Sequence, residues 1–133
     1  MRSLAIELPL PDRTLSPNGY KHWRQVSAAK KKARAEAQAV CKSAMNAARF
    51  AFPLGRCELR SVWYFGGKGG YRPRDKGNAI SSLKAYIDGC VDAGLLPDDS
   101  HKWLDFGPVV FYGLKKDHQG RGGVLLVFTE AGI

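Results

Sequence analysis

The stretch from Ser27 to about Phe50 constrains the fold more than any other. It reads as one long alanine-rich helix. Ser27 suits an N-cap, and Ala33, Ala37, Val40, Ala44 and Ala48 fall near one face. Lys30, Lys31, Arg34, Lys42 and Arg49 lie on the other side, and Pro53 and Gly55 close the segment. Upstream, Leu4, Ile6, Leu8 and Leu10 sit two apart, the period of a strand with one apolar face, which Pro9 and Pro11 end. Between strand and helix, residues 12–24 read as a loop containing the turn residues Ser16-Pro17-Asn18-Gly19.

Downstream, Cys57–Phe65 predicts a second strand, and Gly66–Gly70 a flexible connection. A second helix is expected over about Asn78–Ala93, with Ile80, Leu83, Ile87 and Val91 as its apolar stripe and Gly94 as its C-terminal cap. Pro108–Leu114 and Val124–Glu130 predict two further strands, with Asp117–Gly123 as the turn between them. The order β-α-β-α-β-β gives a mixed α/β (α+β) class: a small mixed four-stranded sheet with two main helices, in a single domain over residues 1–133. The length favours one domain, and no apolar run approaches the roughly 20 residues of a membrane span. The first ten residues lack the continuous apolar stretch of a signal peptide. Three widely spaced cysteines, Cys41, Cys57 and Cys90, exclude a CxxC zinc site and oppose a disulfide framework, so a reducing cytoplasm is expected.

Charge supplies the first functional signal. The net charge of +9 divides unevenly: residues 1–74 carry +11 and residues 75–133 carry −2. A basic half suits a polyanion, nucleic acid above all, or else a solvated lysine face. The acids are clustered too. Asp75, Asp88, Asp92, Asp98, Asp99 and Asp105 follow directly on Arg72-Pro73-Arg74. Hard carboxylate oxygens drawn from a loop, a helix and a turn suit Mg²⁺ or Mn²⁺. Such an ion polarises a phosphodiester and generates a hydroxide nucleophile. The competing reading makes these ordinary surface, turn and cap aspartates, with Asp98-Asp99 after Pro97 as turn residues.

Arg72-Pro73-Arg74-Asp75-Lys76-Gly77-Asn78, then Leu83-Lys84, Asp88-Gly89, Ala93-Gly94 and Asp98-Asp99, form an ordered set of motif elements. The set resembles the signature of the RusA family of crossover-junction endodeoxyribonucleases. The resemblance extends to the opening Leu8-Pro9-Leu10-Pro11, the Ser16-Pro17-Asn18 turn, the long basic helix and the closing Gly122–Glu130 strand. It implies a homodimer, often phage- or prophage-borne, that nicks two opposed strands of a four-way (Holliday) DNA junction with Mg²⁺ or Mn²⁺, in recombination and repair. It implies Asp75, Lys84 and Asp99 as catalytic residues, and Asp75, Asp98 and Asp99 as metal ligands. Arg72 and Arg74 match the basic residues ahead of the acids, and Asn78 and Asp88 are supporting residues. Two positions depart from the family pattern. Gly77 stands where its second acid belongs, and the step from Asn78 to Lys84 is three residues longer, which leaves the alignment of Ala79–Ser82 open.

The residues themselves agree in part. Lys84 and Asp88 are four apart and share a helix face. Lys68 in the glycine loop, Lys21 and Arg24 around Trp23, and Lys30 on the long helix are candidate DNA-binding cations. Trp23 is expected to pack on the core, the alternative being a stack on an unpaired base. Three readings follow: a metal-dependent junction endonuclease, a junction-binding relative impaired at Gly77, and a basic RNA- or ribosome-associated protein.

Overall fold

A computed structural model describes residues 2–17, 22–66, 73, 75–113 and 122–131. Strand β1 spans Ser3–Leu8, and its period-two pattern buries Leu4, Ile6 and Leu8 while Ser3, Ala5 and Glu7 stay exposed. A short 3₁₀ turn, Arg13–Leu15, follows, capped by Asp12. Helix α1 spans Trp23–Ala47, β2 Cys57–Phe65, α2 Lys76–Ser82, α3 Lys84–Ala93, β3 Leu104–Gly113 and β4 Gly122–Glu130. The four strands form one mixed sheet in the order β1-β4-β2-β3, with β2 and β3 parallel and the other pairs antiparallel. This is the α+β class read from the sequence.

Several boundaries differ from the sequence reading. Helix α1 begins four residues before Ser27 is reached. His22, with extended backbone, is the cap, and its Nδ1 accepts the Arg24 N–H at 3.2 Å. The helix ends at Ala47 rather than near Phe50. Just beyond it, the Arg2 guanidinium donates to the Ala51 carbonyl at 2.8 Å while paired with Glu130, which pins the chain to the sheet edge.

The single helix expected over Asn78–Ala93 is two. Asp75 caps the first at Lys76, its Oδ1 accepting the Asn78 N–H at 2.7 Å. The Ser82 hydroxyl donates back to the Ala79 carbonyl at 2.7 Å, a local bond that competes with the helical ladder. Leu83, fully buried, is the junction from which α3 starts. Gly94 closes α3 at φ 95°, the left-handed conformation that glycine adopts without strain.

Strand β3 starts at Leu104, not Pro108. Proline lacks a ladder N–H, but β3 is an edge strand, and a register shift between Leu59 and Ser61 of β2 takes up the Gly107-Pro108 step. The segment read as the turn between the last two strands joins strands that are not neighbours, since β2 lies between β3 and β4. Residues 117–121 of that segment lie outside the described residues.

The core joins the inward face of the sheet to the helices. Trp63, Leu126 and Phe128 are fully buried beside Ala37, Leu83, Ile87 and Cys90. The Trp63 indole N–H donates to the Ser61 hydroxyl at 3.2 Å, so the buried polar atoms of both are paired. The small residues on α1 set how near α3 comes. A Cβ built on Gly89 would lie 2.3 Å from the Arg34 carbonyl oxygen and 2.9 Å from the Ala37 Cβ, so only glycine fits. On the outward face of the sheet, Val62, Val110, Leu125 and Val127 are only half-buried. Among the described residues, no helix is long and apolar enough to cross a membrane.

Candidate active site

The start of α3 gathers three of the motif residues. Lys84 is the first residue of α3, and the helical repeat places Asp88 one turn on, so the Lys84 Nζ donates to Asp88 Oδ1 at 2.9 Å. The same ammonium is paired with Asp99, which follows α3 in the loop after Gly94. Lys84 thus joins two carboxylates from separate elements. Its side chain remains 60% exposed.

Asp98 and Asp75 are engaged differently. The Asp98 carboxylate accepts the Ser100 N–H at 2.8 Å, and hydrogen bonds from the Ser100 side chain and backbone hold its carboxyl below the usual carboxylate range. This is the turn role open to Asp98 from its position after Pro97. Asp75 caps α2, and Gly77, in the first turn of that helix, lies beside it. Among the described residues, a Cβ at Gly77 would meet Asp75 Oδ1 alone, at 3.4 Å, an ordinary contact. A carboxylate at position 77 would therefore fit and would stand next to Asp75.

Aspartate oxygens are the right donors for Mg²⁺ or Mn²⁺. Among the described residues, however, no group of three or more His, Cys, Asp or Glu side chains stands close enough to hold a metal ion. The expected set of Asp75, Asp98 and Asp99 is not assembled there, and Gly77 withholds the side chain that would add to it.

The basic residues are distributed as follows. Arg24 and Lys30 are exposed on α1, as are Lys31 and Lys32. Lys21, Lys68, Arg72 and Arg74 lie outside the described residues. Trp23 does not pack on the core: it is 69% exposed, because the first turns of α1 run past the apolar cluster that begins at Ala33. Arg34 makes a two-pronged pair with Asp92, Nε to Oδ2 at 2.5 Å and Nη2 to Oδ1 at 2.8 Å. That pair lowers the Asp92 carboxyl and raises the Arg34 guanidinium from their ordinary values. It ties α1 to α3 and removes Arg34 from any phosphate track. Nothing in the sequence marks it, since its members are 58 positions apart. The Tyr86 hydroxyl donates to the Pro9 carbonyl at 2.9 Å and anchors α3 to the exit of β1.

Neither a scan against protein-family models nor a search of curated proteins gives a match to this chain.

Proposed function

We propose that the protein is a RusA-like endonuclease acting on four-way DNA junctions. The observation that carries this reading is the contact of Lys84 with both Asp88 and Asp99, motif elements that converge at one end of α3. In this role Lys84 holds Asp99 in place and presents its exposed ammonium to the phosphate beside the scissile bond. Arg24 and Lys30 on α1 supply positive charge for the flanking backbone. If Asp75 and Asp99, helped by Asp98, drew together on binding, they would hold Mg²⁺ or Mn²⁺, whose contribution would be to polarise the phosphodiester. Paired nicks need two copies, and the half-buried apolar face of Val62, Val110, Leu125 and Val127 is where a second copy is proposed to dock.

A second reading is favoured by one observation, the lack of a three-acid group among the described residues. In it the protein binds junctions without nicking them, because Gly77 leaves Asp75 alone at the start of α2. One experiment separates these readings from RNA binding: cleavage of a labelled four-way junction with Mn²⁺, Mg²⁺ or EDTA, beside Gly77→Asp and Asp99→Asn. The endonuclease reading expects nicks that EDTA and Asp99→Asn abolish. Tight binding without nicks, with activity gained on Gly77→Asp, supports the second reading. Preference for RNA in competition with the junction would sink both.

A further inference from the structure

Among the described residues the most exposed large apolar side chain is Trp23, and it is flanked by His22 and the cation Arg24. The His22 ring lies 6.0 Å from it at an interplanar angle of 21°, and the Arg24 guanidinium carbon sits 5.3 Å from its ring centroid. The guanidinium lies over the ring, and Trp23 nevertheless remains 69% exposed. An exposed aromatic face beside the exposed cations Arg24 and Lys30 is the combination that single-stranded nucleic acid binds.

Its position on α1 is informative. Trp23, Lys30, Arg34, Ala37 and Cys41 follow spacings of seven, four, three and four, so they lie along one side of the helix. From Arg34 onward that side meets α3. Arg34 and Ala37 touch the Gly89 position, and Met45 lies 3.8 Å from a Cβ built at Gly94. The two helices therefore run in the same direction, and the start of α1 overhangs the end of α3 that carries Lys84. Trp23 lies on the stretch of α1 that precedes the Arg34 contact with α3.

We propose that Trp23, bracketed by His22 and Arg24, stacks on an unpaired nucleobase of the bound nucleic acid, with Lys30 on the adjoining phosphate. The proposal rests on the nucleic-acid reading above and deepens it: the chemistry recognised is an exposed base face beside a polyanionic backbone. Aromatic stacking tolerates any base, because every base offers a π-face. An open branch point or a single-stranded stretch satisfies such a contact, whereas in a fully paired duplex the base faces are already stacked. Trp23 would thus favour opened DNA over duplex, separately from the phosphate contacts, which do not distinguish the two.

The test measures binding in EDTA to a four-way junction, a duplex with an unpaired bubble, single-stranded DNA and a perfect duplex. The proteins are wild type, Trp23→Ala, Trp23→Phe and Lys30→Ala, and circular dichroism checks their folding. Trp23→Ala should weaken junction, bubble and single-strand binding about tenfold, while duplex binding changes less than about twofold. Trp23→Phe should keep most of the binding. Lys30→Ala should instead weaken all four ligands and reduce the salt slope by about one phosphate contact. If wild type binds the junction and Trp23→Ala matches it on every ligand, stacking is overturned while the junction reading stands. If wild type ignores the junction but binds single strands through Trp23, the junction reading falls and stacking stands. Binding to none of the four overturns both. Trp23-dependent binding to anionic phosphatidylserine vesicles, or Trp23-dependent self-association, with no Trp23 effect on DNA, would show a membrane or a second copy as the occupant and overturn the proposal.

Discussion

Two glycines show how far a single residue's role depends on what a side chain would meet. At Gly89 a Cβ would fall 2.3 Å from the Arg34 carbonyl oxygen, a backbone atom that cannot swing aside. Gly89→Ala should therefore force α1 and α3 apart and destabilise the protein by about 1–3 kcal/mol, read as a lower urea midpoint. The Arg34–Asp92 pair would loosen with it. At Gly77 the same substitution meets, among the described residues, just the Asp75 carboxylate at 3.4 Å, within a helix. Gly77→Ala should leave stability unchanged or raise it by up to about 1 kcal/mol, since alanine is the better helix former. If the two variants unfold at the same urea concentration, the close α1–α3 packing described above is wrong. Gly77 is accordingly free to vary for stability, and its cost falls on the carboxylate count beside Asp75.

At the scale of elements, the outward face of the sheet carries a prediction. Leu125 pairs across with Val62, and Val62 with Val110, so one apolar row crosses three strands on the side away from the buried cluster. If this row joins two copies, Val62→Lys combined with Leu125→Lys should yield a folded monomer. Sedimentation would report the lower mass, and an unchanged far-ultraviolet spectrum would report the intact fold. A wild-type protein that sediments as a monomer removes the dimer from the proposed reaction. The strands were legible because one face is buried, which imposes period two on Leu4-Ile6-Leu8 and on Cys57-Leu59-Ser61-Trp63. The break at Leu83 was not, because Ile80, Leu83 and Ile87 keep helical spacing through it, and the Ser82 back-bond that marks it has no pattern of its own. The Lys84–Asp88 pair could be read from its spacing of four. The Lys84–Asp99 contact was reachable only through the motif resemblance, and Trp23 was misplaced because the apolar surface ends before the helix does. The order of the last two strands was hidden for a related reason: sequence neighbours favour pairing, and here β2 comes between them.

For the whole molecule, the ionisable groups set limits on both sides of neutrality, and the signs can be worked out. Asp12 is held below its ordinary value by hydrogen bonds from Thr14, Asp92 by Arg34, Asp98 by Ser100 and Glu130 by Arg2. In each case the folded state releases its proton more readily than the unfolded chain. The stabilisation is thus complete above the carboxylates' unfolded values of about 4 and is lost as pH falls through their lower folded values. On the alkaline side the direction reverses. Burial pushes the Cys57 thiol from 9.0 up to about 11, and burial also raises the Tyr86 hydroxyl. Both groups are neutral when protonated, so the folded state keeps protons that the unfolded chain gives up. That stabilisation is complete below pH 9 and declines above it, by up to about 3 kcal/mol for Cys57 at 1.36 kcal/mol per unit. The urea midpoint should therefore be flat between about pH 5 and 9 and fall on both sides. Asp92→Asn should lower the plateau and shallow the acid limb, because it removes the carboxylate but leaves Arg34 without its partner. Cys57→Ala should leave the acid limb untouched and shallow the alkaline one. An alkaline limb identical in Cys57→Ala and wild type would assign that loss to other groups, the buried Cys90 thiol and Tyr86 among them.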